Sequence, residues 1–319
     1  MGIATLCCSH SPLAWDEGQD PLVGRGFIDN MVALRRWVED YAPELVIQFF
    51  PDHFNGFFYD AMPSFCIGTA AESVADWGTP AGPLLVPLDL AQQAVRTVRG
   101  ADIDIAISHG MKVDHGCTQQ LATLFGGRLD AYPVIPVMVN CVGSPLPGFG
   151  RVRRLGEALG RFAQGTGKRV LFLGSGGLSH DPPVPNYAKA APELRNILIS
   201  AGRNASAEQR LQREQRVRSA ASEFVAGRTG FVEPDPAWDR RVMDLLEGAR
   251  LADMDDWDED VVTREGGCGG HEVRTWLAAF AAQRAVGRYT VDLSHYEIVR
   301  PWMTGMAIMR AETAIEEKK

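Results

Sequence analysis

The 319-residue sequence holds seven histidines, and their placement is uneven. His10 comes just after an apolar run at 3–8 (IATLCC). His53 follows a second run at 44–50 (ELVIQFF), inside Pro51-Asp52-His53-Phe54-Asn55-Gly56. His109 ends a third run at 102–108 (DIDIAIS), and His115 lies a short loop beyond it. His180 follows a run at 169–174 (RVLFLG) through the glycine loop GSGGLSH. Runs of this kind read as strands of an α/β sheet, which binds ligands outside the carboxyl ends of its strands. Five of the seven histidines fall there. One histidine after a strand is more often a loop hydrogen-bonder than a functional group; the concentration is what points to a site.

His10 and His53 leave buried runs directly, which mounts them rigidly enough to bind a metal. Two neutral imidazoles, one carboxylate and open positions make the facial triad of non-haem Fe(II) enzymes. Glu272 is the candidate carboxylate. It opens a helix after GGCGG (266–270), where glycines let a helix end come close to a metal. His271 competes, because adjacent helical residues point about 100° apart and only one can face a given centre. A first-turn glutamate is also what the helix dipole favours for stability alone. The loop GSGGLSH fits neither a dinucleotide nor a P-loop pattern, so it reads as a close backbone approach ending in His180. No G-x-S-x-G elbow supports a serine hydrolase, and the six cysteines lack the spacing of a zinc cage.

The elements that must hold these residues alternate. Besides the runs above, 132–140 reads as a strand, and helical patterns cover 26–41, 88–99, 118–125 and 151–164. Strand–helix alternation implies a mixed central sheet with helices on both faces. After Gly177 the pattern becomes helical, with 207–225 capped by Ser206, 235–251 burying Trp238, Val242, Leu245 and Leu246, and 271–286. The acidic stretch 254–260 reads as a solvated loop, and the final AETAIEEKK as a fraying exposed end. The expectation is one α/β domain, 1–319, with a helical C-terminal portion.

Composition removes other classes. With 32 basic against 40 acidic residues the net charge is −8, which argues against a nucleic-acid binder. No apolar window is long enough for a membrane helix. The opening MGIATLCCSH fits neither a signal peptide nor a myristoylation site. The cysteines then read as reduced thiols in a cytoplasmic protein. We also expect a homo-oligomer, tetramer or larger.

Together these residues resemble the class III extradiol ring-cleaving dioxygenases, the superfamily of the protocatechuate 4,5-dioxygenase catalytic subunit. The matching stretches run from Ser9-His10-Ser11-Pro12-Leu13 through Pro51 to Asp60, Val113-Asp114-His115-Gly116, Pro145 to Phe149 and Arg169 to His180. His271-Glu272 and Thr275-Trp276 complete them. The resemblance implies His10, His53 and Glu272 as Fe(II) ligands and His115 with His180 as the catalytic pair. It leaves His109 and His295 structural.

It also implies a catechol and O2 as substrates. A catechol must lose protons to chelate, and histidine titrates near neutral pH. We assign His180 as that base, and His115 as the acid that protonates the departing oxygen when the O–O bond breaks. Phe54, Phe57, Phe58 and Tyr59 follow His53 and could wall a slot for the ring, with core packing the commoner use of such a run. Asp114, Phe57 and Tyr59 are the substrate-binding candidates, although Asp114 could equally fix the loop or orient a ring. An acidic side chain on the ring would want a cation, and Lys112, Arg151 and Arg153 lie near the motifs. A zinc-dependent hydrolase using the same histidines, or a binding protein on the same scaffold, are the competing readings.

Overall fold

In this computed structural model residues 2–15, 20–228 and 230–314 are described. Among them the strands are β1 (Ile3–Cys8), β2 (Leu45–Phe50), β3 (Phe65–Gly68), β4 (Ala71–Ser73), β5 (Gly82–Pro83), β6 (Ala106–Ser108), β7 (Met111–Val113), β8 (Val134–Val139), β9 (Val170–Ser175), β10 (Tyr289–Val299) and β11 (Thr304–Thr313). The α-helices are α1 (Arg25–Tyr41), α2 (Leu88–Gly100), α3 (His115–Leu124), α4 (Phe149–Thr166), α5 (Pro192–Ile199), α6 (Ala207–Val225), α7 (Pro236–Glu247), α8 (Glu259–Gly266) and α9 (Val273–Val286).

The central sheet is mixed, in the order β10-β11-β1-β9-β2-β8-β3-β6. β1, β9, β2 and β8 run parallel. These strands read as mostly apolar runs because both their faces are covered. Leu45, Ile47 and Phe49 of β2 pack with helices α2, α4, α7 and α9. Val46 and Phe50 point the other way, into a core shared with α1 and α3. β1 and β2 both flank β9 in parallel, so the carboxyl ends of all three open on one edge. His10, His53 and His180 follow those three ends.

Eleven consecutive residues of α9, Val273 to Gln283, are buried. A helix that is buried all round lies inside the protein. It crosses α4 at backbone distance: a Cβ on Gly156 or Gly160 would collide with the carbonyls of Ala278 and Ala282. That wedging fixes the N-terminus of α9, and with it Glu272, against the strand ends. Among the described residues no helix is long and apolar enough to cross a membrane.

The sheet with helices on both faces and the late helical region are as the sequence predicts, but several elements differ. Only Ala106–Ser108 of the 102–108 run is a strand; Ile103 and Ile105 are buried without joining the sheet. His115 is the first residue of α3, not a loop residue, and Asp114 caps that helix by accepting from Gly116 N. The acidic 254–260 stretch is structured: Asp255 pairs with Arg153, and Asp258 caps α8. α9 starts two residues later than expected, because Gly269–Glu272 form a 3-10 turn. After α9 the described residues form strands rather than the start of a tail. β10 and β11 form a hairpin, and β11 pairs antiparallel with β1 through Ala311 and Glu312. The last part of the expected tail, 315–319, lies outside the described residues.

Candidate active site

His10 sits two residues beyond β1 and is buried. Its Nδ1 lies 3.1 Å from Ser175 Oγ at the end of β9, and its Nε2 is 3.8 Å from Glu272 Oε2. His53 is tied by Asp114, whose Oδ2 accepts from its backbone N at 2.8 Å and lies 3.2 Å from Nδ1. Its Nε2 faces Glu272 Oε1 at 3.1 Å. Glu272 is anchored by Gly177 N, which donates to Oε2 at 2.7 Å. In each histidine one ring nitrogen is held by the protein and the other turns toward the same carboxylate, as partners that orient metal-binding imidazoles do.

The glycines let these parts meet. A Cβ on Gly176 would come 2.8 Å from Glu272 Cβ, and one on Gly177 or Gly269 would strike the His180 ring. GSGGLSH and GGCGG thus give close approach, as expected, with Glu272 and His180 as what is approached.

Electrostatics suit a cation. Burial pushes His10 down to about 3, an effect that Glu272 offsets only in part, so the ring stays neutral with a free lone pair. Burial also works against a charged His53, but Asp114 and Glu272 outweigh it and hold that ring well above the usual histidine range. Burial would raise Glu272, yet His10, His180 and His53 keep it ionised, below the ordinary carboxylate range. A buried place that favours positive charge, framed by two imidazoles and one carboxylate, fits a divalent metal.

His115 lies over the site, its ring stacked on His53 with centroids 4.4 Å apart. Asp76 holds it, accepting from His115 N at 2.8 Å and pairing with Nδ1 at 2.6 Å. That acceptor fixes the proton on Nδ1 and leaves Nε2 for chemistry. His180 Nδ1 donates to the Leu178 carbonyl at 2.9 Å, and its Nε2 is 3.8 Å from Glu272 Oε1. The loop before it is held by Asp239, which accepts from Ser179 N and Oγ and from Tyr296 Oη of β10. The hairpin therefore supports the site. Among the described residues two three-ligand sets have their atoms within 4.8 Å of one another: the ring nitrogens of His10, His53 and His115, and Asp76, Asp114 and His115.

His271 turns away: Arg274 reaches its Nδ1 at 2.7 Å and Thr263 its Nε2 at 2.8 Å, which leaves Glu272 alone at the centre. His109 is exposed beside Thr69, and His295 pairs with Glu297, both away from the cluster. Asp114 spends its carboxylate on His53, Asn55 and Gly116, so it fixes a loop and a ring. Phe54 and Phe58 are buried in a small cluster with Leu198. Phe57 and Tyr59 are half-buried, and Tyr59 Oη donates to the Ser144 carbonyl at 3.0 Å. A cavity of about 1040 Å³ adjoins this loop, lined by Asn55, Phe57, Phe58, Arg203 and Arg210 among others. Asp76, Ser175 and Asp239 are the functional residues that sequence reasoning missed. Asp76 is 39 residues from His115 and has no motif of its own.

An Asp76→Asn exchange keeps the shape but turns an amide donor toward Nδ1–H, which favours the wrong tautomer. Losing an orienting partner typically costs about 10–100-fold. We expect that fall in kcat with bound metal retained, measured by steady-state kinetics and metal content. Unchanged turnover would show that Asp76 does not orient His115.

Strand-end histidines and a buried glutamate around one cation-favouring place could hold a metal ion. The sequence matches the family described as "Catalytic LigB subunit of aromatic ring-opening dioxygenase" over residues 4–305, and the chain belongs to that family. It is 48% identical, over 98% of this chain and 99% of the relative, to a 2,3-dihydroxyphenylpropionate/2,3-dihydroxicinnamic acid 1,2-dioxygenase of Cupriavidus pinatubonensis. A Rhodococcus protein of the same name is 46% identical over 99% of this chain and 100% of its own. One from Escherichia coli K12 is 44% identical over 96% and 98%.

Proposed function

We propose that the protein is a non-haem Fe(II) extradiol dioxygenase acting on 2,3-dihydroxyphenylpropionate or 2,3-dihydroxycinnamate. It would add both atoms of O2 and cleave the ring beside the two hydroxyls. The product is then 2-hydroxy-6-oxonona-2,4-dienedioate or its triene analogue. The observation that carries this reading is that His10 Nε2 and His53 Nε2 both face the buried Glu272 carboxylate, at 3.8 and 3.1 Å. The names of the full-length relatives supply the substrate class.

Bound Fe(II) would supply the redox route by which a singlet catechol and triplet dioxygen can react. The chain's own residues handle the protons. His180, whose Nδ1–H is held by a carbonyl, presents the Nε2 lone pair and takes a catechol proton. His115, backed by the Asp76 carboxylate, can carry a compensated proton and deliver it to the departing oxygen. Asp114 positions His53, and Phe57 and Tyr59 remain the candidates to border the ring. We read the chain as one catalytic domain, since β1 from one end of the sequence sits between β9 and β11. A cytoplasmic location agrees with cysteines that are all free and mostly buried. A homo-oligomer of four or more chains is checked by sedimentation.

With only three protein ligands, the metal should be easily lost or oxidised. Chelator or hydrogen peroxide is expected to remove activity, and ascorbate with Fe(II) to restore it. Metal analysis should find stoichiometric iron. Stoichiometric zinc with oxygen-independent hydrolysis would instead favour a hydrolase built on the three-histidine set. Indifference to chelator and oxidant alike would refute a labile ferrous centre.

A further inference from the structure

A catechol with an acidic side chain needs a counter-charge, and the cations suggested by sequence are engaged or remote. Lys112 pairs with Glu72, and Arg153 with Asp255 and Glu157. Arg151 lines a separate cavity with Arg99 and Asp104. Helix α6 offers another cation. Its Glu214 accepts from Trp77 N at 2.9 Å, and Arg218 lies over the Trp77 ring. Trp77 holds a left-handed φ of 52° under that clamp, and its ring meets His115 edge-on at 6.2 Å. So α6 is braced against the segment that carries Asp76.

On the same helix, Arg213 is half-buried and, among the described residues, has no hydrogen-bond or ion-pair partner. Its guanidinium sits at the edge of the loop that follows His53. A Cβ on Gly202 would fall 2.7 Å from Phe58 Cε1 and 3.1 Å from Arg213 Nη2. Arg210, one turn earlier, donates only to the neutral Val74 carbonyl, while Arg203 is occupied by Asp60. Burial, with the charges of Arg216 and Arg210, pushes the Arg213 guanidinium below its ordinary range, so the place calls for an anion. A partly desolvated arginine without a carboxylate is costly unless a ligand supplies one.

We propose that Arg213, supported by Arg210, receives the side-chain carboxylate of the catechol substrate and so sets the preference for acidic over uncharged catechols. This rests on the extradiol reading above. It adds a recognition residue on α6, the helix whose Glu214 and Arg218 hold Trp77 and whose Arg213 lies near Phe58 of the His53 loop.

The test compares 2,3-dihydroxyphenylpropionate with 3-propylcatechol, which keeps the ring and arm but lacks the charge. Parent, Arg213→Gln and Arg213→Lys proteins are assayed as iron-loaded enzymes. A charge-assisted hydrogen bond is worth enough that its loss should lower the ratio of kcat/KM, acid over uncharged catechol, on the order of 10–100-fold in Arg213→Gln. The change should lie in KM for the acid, and Arg213→Lys should recover part of it. A ratio within about 2-fold of the parent's, in an iron-loaded Arg213→Gln protein, would overturn the assignment. Loss of the preference in Arg213→Lys as complete as in Arg213→Gln would also count against it, since charge would then not be what matters. If the parent cleaved neither catechol, the functional reading itself would fall and take this inference with it.

Discussion

Replacing Glu272 by alanine is expected to abolish bound iron and turnover together. Glu272 faces both His10 Nε2 and His53 Nε2, and its own charge is kept ionised inside the protein by the surrounding histidines. Without it a divalent cation would sit buried beside two neutral imidazoles. Leaving a buried charge unpaired costs roughly 3–5 kcal/mol, which is about 10²–10⁴-fold in metal affinity. His10→Ala and His53→Ala should lose iron as well. Glu272→Gln is the sharper variant, because it keeps the shape and removes only the charge. Iron per chain after anaerobic reconstitution is the measurement, with circular dichroism to check folding. A folded Glu272→Gln protein with full iron and normal turnover would refute the triad.

His115 and His180 should behave in the opposite way. Neither is needed to complete the triad, so His115→Gln and His180→Gln are expected to keep iron while kcat falls by roughly 10²–10⁴, the usual worth of a general acid or base. The two should differ in kind. Without His180 the catechol loses its proton acceptor, so anaerobic binding should weaken at neutral pH and recover in part as pH rises. Without His115 anaerobic binding should survive and the block should fall after oxygen has entered. The parent's pH–rate profile should be bell-shaped, with limbs that belong to the pair. Anaerobic substrate binding followed by absorbance, for each variant across pH, separates these outcomes. The roles are exchanged if His115→Gln binds poorly and His180→Gln binds as the parent does. If His115→Gln loses iron while His180→Gln keeps it, the three-histidine set is the metal site; if both lose it, the triad assignment is wrong.

The centre was legible in the sequence because the histidines sit at strand ends, and strand ends are where a parallel sheet opens. β1, β2 and β9 are buried on both faces, so their runs are almost wholly apolar, with Thr5, Gln48 and Ser175 as the buried polar exceptions. The preference for Glu272 over His271 came from the glycines before it and from the family resemblance, while the physical reason for it was not legible. It depends on the 3-10 turn before α9 and on Arg274 and Thr263 claiming both nitrogens of His271. The Asp76–His115 pair was hidden for another reason: 39 residues separate the partners, and only the folded small sheet brings them together. The β10–β11 hairpin did leave a trace. Tyr289 to Ser294 alternates apolar and polar residues, a period-two pattern too short to stand out beside the surrounding helices. Its role in holding the His180 loop, through Tyr296 and Asp239, had no local signature.

The most direct test is a single-turnover reaction with isotopically labelled oxygen. The protein is loaded anaerobically with Fe(II), given 2,3-dihydroxyphenylpropionate, and exposed to ¹⁸O2. A yellow ring-fission product carrying two ¹⁸O atoms, formed in proportion to bound iron, is the expected result. A colourless tricarboxylate from cleavage between the hydroxyls, or a product formed without oxygen uptake, would contradict extradiol cleavage at the His10–His53–Glu272 centre.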